Sequence, residues 1–193
     1  MRKIFLVLSM LIVAACNSSK KATSGSNAYY SMENIAEMSL DQIRKTYPDA
    51  SFKNGVGIFE EGTVERPYTI LYPETPDQLL ITWQNEDRIK VYSVKYSEGS
   101  KWSSNTGVKI GTSLEELNKL NGKPVSVYGF GWDYSGAVDW NGGKLENNKL
   151  GVFLAANADI PDQFYGDSII EASPEELKAL DLKVGSIMIL NSK

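Results

Sequence analysis

The densest concentration of groups able to hold a ligand is an aromatic–glycine segment. It reads Tyr128-Gly129-Phe130-Gly131-Trp132-Asp133-Tyr134-Ser135-Gly136 and runs on to Asp139-Trp140-Asn141-Gly142-Gly143. Rings stack on apolar or sugar faces, carboxylates accept hydrogen bonds, and glycines let backbone approach closely. Trp132, Asp133, Tyr134 and Trp140 are therefore the candidate contacts for a ligand or partner. The same pattern also describes a twisted hairpin whose aromatics pack a sheet and whose glycines sit at bulges. Both readings stand at the level of sequence.

Catalytic chemistry has much less to work with. The 193 residues contain no histidine and one cysteine, Cys16. Ser-His-Asp and Cys-His catalysis, His/Cys zinc sites, His-ligated haem and any intrachain disulfide are excluded. Carboxylates pair at Glu60-Glu61, Glu115-Glu116 and Glu175-Glu176. A glycosidase needs two such groups about 5–10 Å apart with separated pKa values. The second and third pairs instead fall at helix starts, where acids complement the helix dipole. Asp159 and Asp162 flank Pro161 near Asn157, too sparse an oxygen set for a calcium loop. No phosphate-cradling glycine motif is present. The net charge of −4 argues against a nucleic-acid partner. No enzyme activity, cofactor or metal is expected.

The elements that must position these residues follow one local grammar. Ser39-Leu40-Asp41-Gln42, Ser113-Leu114-Glu115-Glu116 and Ser173-Pro174-Glu175-Glu176 are capping boxes, Ser-x-x-Gln/Glu. Apolar spacing predicts a short helix after each, ending at Pro48, at Asn121-Gly122 and at Asp181. Helices of two or three turns are marginal alone and must dock on a sheet. Strands are predicted over 50–59 with a hairpin turn at Asn54-Gly55, and over 67–72, 79–83, 88–96, 125–130, 136–140, 150–155 and 186–190. Leu79, Ile81 and Trp83 share one face, as do Tyr92, Val94 and Tyr96. The class is α+β: an antiparallel sheet with short helices packed on one face. Met38–Lys45 aligns with Thr112–Lys119 at an offset of 74, which suggests two tandem helix-plus-sheet modules, 29–104 and 105–193.

The N-terminus is an address. Arg2 and Lys3 precede the apolar stretch Ile4 to Val13, which is too short for the ~20 residues a bilayer span takes. Val13-Ala14-Ala15-Cys16 resembles the lipobox of bacterial lipoproteins. That resemblance implies a signal peptide over 1–15, acylation of Cys16 (palmitate among the chains), and a polar tether over 16–28. Loss of Arg2 and Lys3 with the leader takes the net charge from −4 to −6. Asn17 after the cysteine is compatible with sorting to the outer membrane, on its periplasmic face or at the cell surface.

Gly107-Val108-Lys109-Ile110-Gly111-Thr112-Ser113-Leu114-Glu115-Glu116-Leu117, followed by Asn121-Gly122-Lys123-Pro124, is the most distinctive stretch. It resembles the signature of outer-membrane assembly accessory lipoproteins and of the tandem β-lactamase inhibitor protein family. As a whole the chain resembles uncharacterised lipoproteins of Bacteroidetes-type bacteria. These resemblances imply a lipid-anchored cell-envelope protein with a non-enzymatic binding or scaffold role toward a protein partner. A surface glycan-binding lipoprotein using the aromatic–glycine loop is the alternative.

Overall fold

The computed structural model describes residues 29–60, 62–97 and 101–191. Cys16, the leader and the whole of the tether lie outside the described residues. The elements run α1 (Met32–Ala36), α2 (Leu40–Thr46), β1 (Phe52–Phe59), β2 (Val64–Leu71), β3 (Leu79–Trp83), β4 (Val91–Tyr96), α3 (Leu114–Asn121), β5 (Ser126–Val127), β6 (Val138–Asp139), β7 (Leu150–Ala155), α4 (Pro174–Ala179) and β8 (Lys183–Leu190). A 3-10 turn occupies Asp162–Phe164. The architecture is α+β, with a six-stranded antiparallel sheet in the order β1-β2-β3-β4-β8-β7 and a two-stranded sheet, β5-β6.

Capping chemistry starts the helices where the sequence places them. Ser39 and Gln42 exchange both bonds of the box ahead of α2, and Ser173 and Glu176 do so ahead of α4. Ser113 forms only its own half ahead of α3, accepting from the Glu116 amide at 3.2 Å. Its flanking backbone is paired with the start of β8 and the residue before it instead: Leu114 N donates to Leu182 O, and Val184 N to Thr112 O. Gly122, at φ +79, closes α3 in the left-handed conformation that glycine adopts without strain.

Asn54-Gly55 is not a turn. Both residues lie inside β1, and the chain reverses later, through Glu60 (φ 52), Gly62 (φ 80) and Thr63. The reason is cross-strand packing. Thr69 donates to Asn54 Oδ1 at 2.8 Å, and a Cβ on Gly55 would overlap the Tyr68 ring.

The core lies on one face of the sheet. Leu71, Leu79, Ile81, Val94, Ile187, Ile189 and Val152 are cross-strand neighbours on that face. Met32 and Ile35 of α1, Ile43 of α2 and Leu117 of α3 join the same cluster. Buried polar groups there are satisfied, as burial requires: Trp83 Nε1 donates to Thr69 Oγ1 at 2.9 Å, and Tyr96 Oη to Trp102 O at 2.8 Å.

Each helix, α2 and α3, is followed by four strands, and the last strands of the two sets, β4 and β8, pair with each other. The β5-β6 ribbon reaches the large sheet through an antiparallel bridge between Ala137 and Phe153.

Candidate functional site: the open face of the sheet

Residues directly opposite across a ladder share a face. The register therefore defines a second row, pointing away from the helices: Ile70 opposite Leu80, Leu80 opposite Lys95, Lys95 opposite Met188, and Met188 opposite Gly151. Ile70, Leu80, Met188 and Phe153 are half-buried, with Lys95 and Lys53 exposed among them. Lys95 Nζ stands 5.4 Å from the centre of the Phe153 ring. A depression of about 510 Å³ opens beside Leu80 and Lys95, lined also by Glu74, Pro76, Gln78 and Ser97.

One end of this face is set by a bulge. The β3–β4 register slips between Thr82 and Trp83, so that Trp83 pairs with Val91 and skips Tyr92. Tyr92 therefore leaves the side occupied by Val94 and Tyr96, contrary to the strand alternation, and turns to the open face. There the Arg66 guanidinium covers its ring at 3.6 Å. Arg66 also pairs with Glu60 Oε1 at 2.6 Å. The hydrogen bond from Arg66, then that from Tyr92, holds the Glu60 carboxyl below the usual carboxylate range. Burial, followed by the bond to Glu60, raises the Tyr92 phenol.

The aromatic–glycine segment forms the other end. Tyr128 N donates to Ala137 O at 2.8 Å, continuing the β5-β6 ladder and placing Tyr128 beside Ala137. Trp132 packs at 6.3 Å from Tyr128 and 5.1 Å from Tyr134, both at tilted angles. Its indole Nε1 donates to Gly129 O at 3.0 Å, which fixes the ring. Tyr134 is 47% exposed, Trp132 is half-buried, and Asp133 is exposed. Gly131 (φ 84) and Gly136 (φ 68) turn the backbone around them, and a Cβ on Gly136 would overlap the Leu154 carbonyl.

Trp132, Asp133 and Tyr134 thus meet at the surface, but Trp140 does not join them. It is 6% exposed, belongs to the core, and donates its indole N–H to Leu150 O at 3.2 Å. Ile70, Leu80, Met188 and Phe153 escaped the sequence reading of the site. The alternation that put Leu79, Ile81 and Trp83 together implied a complementary face, but nothing local says which face the helices cover.

The carboxylate pairs are occupied structurally. Glu115 binds Lys119 at 2.7 Å one helical turn on, and Glu176 caps α4 and accepts from Gln163. Among the described residues no three or more Cys, Asp or Glu side chains are grouped as a metal would require. No described helix is long and apolar enough to cross a membrane.

No family model matches the chain, and no curated protein matches it. Among solved structures, the uncharacterised protein yfeY from Escherichia coli is similar at 12% identity, with a TM-score of 0.46 over 81% of this chain and 92% of that one.

Proposed function

We propose that the chain is a lipid-anchored envelope protein that binds another protein through the open sheet face and catalyses no reaction. The observation that carries this reading is the group of half-buried apolar side chains Ile70, Leu80, Met188 and Phe153 gathered about Lys95, which the described helices leave bare. Apolar groups gathered on an uncovered face and interspersed with charge are a mark of interaction sites. Lys53 and Lys95 stand on the same face of an otherwise acidic chain, so the fitting partner presents an apolar strand or loop flanked by carboxylates. The anchor rests on the lipobox ending at Cys16. Pull-down from detergent-solubilised membranes with the full chain should recover a stoichiometric protein, and Leu80→Asp with Met188→Asp should lose it. Recovery unchanged by both substitutions would sink the proposed face. Cys16→Ala should release the chain from membranes into the soluble fraction.

A second reading, glycan binding, is favoured by one observation: Trp132, Asp133 and Tyr134 meet at the surface beside Tyr128. Trp83, Trp102 and Trp140 are buried, so tryptophan fluorescence that responds to solvent reports chiefly on Trp132. Emission that stays flat across a glycan panel removes this reading.

A further inference from the structure

The two margins of the sheet are treated differently. Beyond β5, the segment around Tyr165–Ile170 runs alongside the ribbon. Gly129 N donates to Ser168 O, Ile170 N to Val127 O, and Gly166 N to Phe130 O. That margin is covered. At the opposite margin stands β1, eight residues long, with β2 as its partner on one side and no strand on the other among the described residues.

The backbone groups free on β1 can be named. Tyr72 N donates to Ser51 O at 3.0 Å, so in the β1–β2 register the odd-numbered residues bond toward β2. Alternation then turns the N–H and C=O of Phe52, Asn54, Val56 and Ile58 outward. On the helix-bearing face of the same stretch, Val56 is 47% and Ile58 70% exposed. The helices do not extend this far out. On the other face lie Gly55 and Gly57, which present no side chain of their own. A long edge strand with free ladder groups and exposed aliphatic side chains is a template for another strand.

We infer that β1 pairs antiparallel with β1 of a second copy of this chain, about a two-fold axis through Val56. The axis must stand perpendicular to the sheet so that the helices of both copies stay on one side. Only pairings between residues of the same parity satisfy that condition, and the outward groups sit at even positions. Centring on Val56 engages three of the four outward residues: Val56 bonds its own copy, and Asn54 and Ile58 bond each other's, while Phe52 falls opposite Glu60 of the copy, beyond the end of β1. It also sets Ile58 beside the partner Val56, covering the most exposed aliphatic groups of the strand. Lys53 falls opposite Phe59 of the copy on the open face, where two lysines would otherwise have met. The contact is small, so the dimer is of the weak, concentration-dependent kind. It places two open sheet faces side by side, and it does not depend on what those faces bind.

The full-length chain carrying Cys16→Ser, which removes its only thiol, should show a monomer–dimer equilibrium by sedimentation. Ile58→Lys should weaken the dimer at least tenfold, by setting a charge against the apolar contact. In the same background, Val56→Cys should oxidise to a disulfide dimer. The two Cα atoms of a hydrogen-bonded antiparallel pair lie about 5.5 Å apart, inside the ~4.4–6.8 Å that a disulfide spans. Ile58→Cys should not oxidise, because its copy lies four residues along the ladder, about 13 Å away. A chain that stays monomeric at every concentration overturns the inference, and so does cross-linking through position 58 in preference to 56. Val56→Cys keeps the test decisive should Ile58→Lys lower stability, which a circular-dichroism melt reads directly.

Discussion

Asn121 and Gly136 hold the aromatic segment in place without presenting anything to solvent. The buried Asn121 amide donates to Trp140 O at 2.9 Å and Lys123 O at 3.1 Å, and accepts from Leu145 N at 3.2 Å. Replacing it with Leu leaves those backbone groups without partners, a loss of about 2–4 kcal/mol in denaturant unfolding. Gly136→Ala meets both a positive φ and the Leu154 carbonyl. It should cost more than about 2 kcal/mol by the same measurement. Trp132→Ala should change stability by less than about 1 kcal/mol while abolishing any fluorescence response to a bound partner or glycan. These differences were not legible in the sequence. Trp132 and Trp140 carry the same residue type eight positions apart. What separates them is the bridge between Ala137 and Phe153, which folds Trp140 under β7 and leaves Trp132 beyond the margin.

At the scale of elements, information carried by near neighbours was readable. The boxes at Ser39 and Ser173 predicted α2 and α4 because the hydroxyl and its target amide are three residues apart. α1 escaped notice: five residues show no period, although Ser31 caps it by accepting from Asn34 N. Asn54-Gly55 misled because a turn signature is also what a strand needs where a Tyr ring must lie flat on it. Ser173→Ala should lower stability by about 1 kcal/mol in thermal unfolding. Ser113→Ala should lower it less, since Leu114 and Thr112 stay bonded to Leu182 and Val184 after the hydroxyl is gone.

For the whole molecule, pH dependence follows from the tyrosines. Burial pushes Tyr47 up to about 12 and Tyr96 up to about 12, from an ordinary 10.0, and raises Tyr72 further in the same direction. A folded pKa above the unfolded one means that the neutral phenols support the fold. That support is complete below pH 10 and is lost as pH rises toward 12. Circular dichroism at 222 nm (the usual helix band) should therefore show unfolding on the alkaline side, with phenolate absorbance rising in the same window. The α+β class was legible from the alternation of capped helices and apolar runs. The strand order was not, because β4 and β8 are nearly a hundred residues apart and nothing in either run names the other.

That pairing dictates when the protein can fold. β8, the last described strand in the chain, fills the gap between β4 and β7, so the strand that joins β7 to the rest of the sheet is made after every other described strand. Until it arrives, β4 and β7 are both bare margins, and Val94, Tyr96, Leu150 and Val152 lack the neighbours that bury them. A chain still on the ribosome is therefore held unfinished by its own topology. Removing residues 183–193 should leave a polypeptide that any protease digests at the rate of an unfolded one.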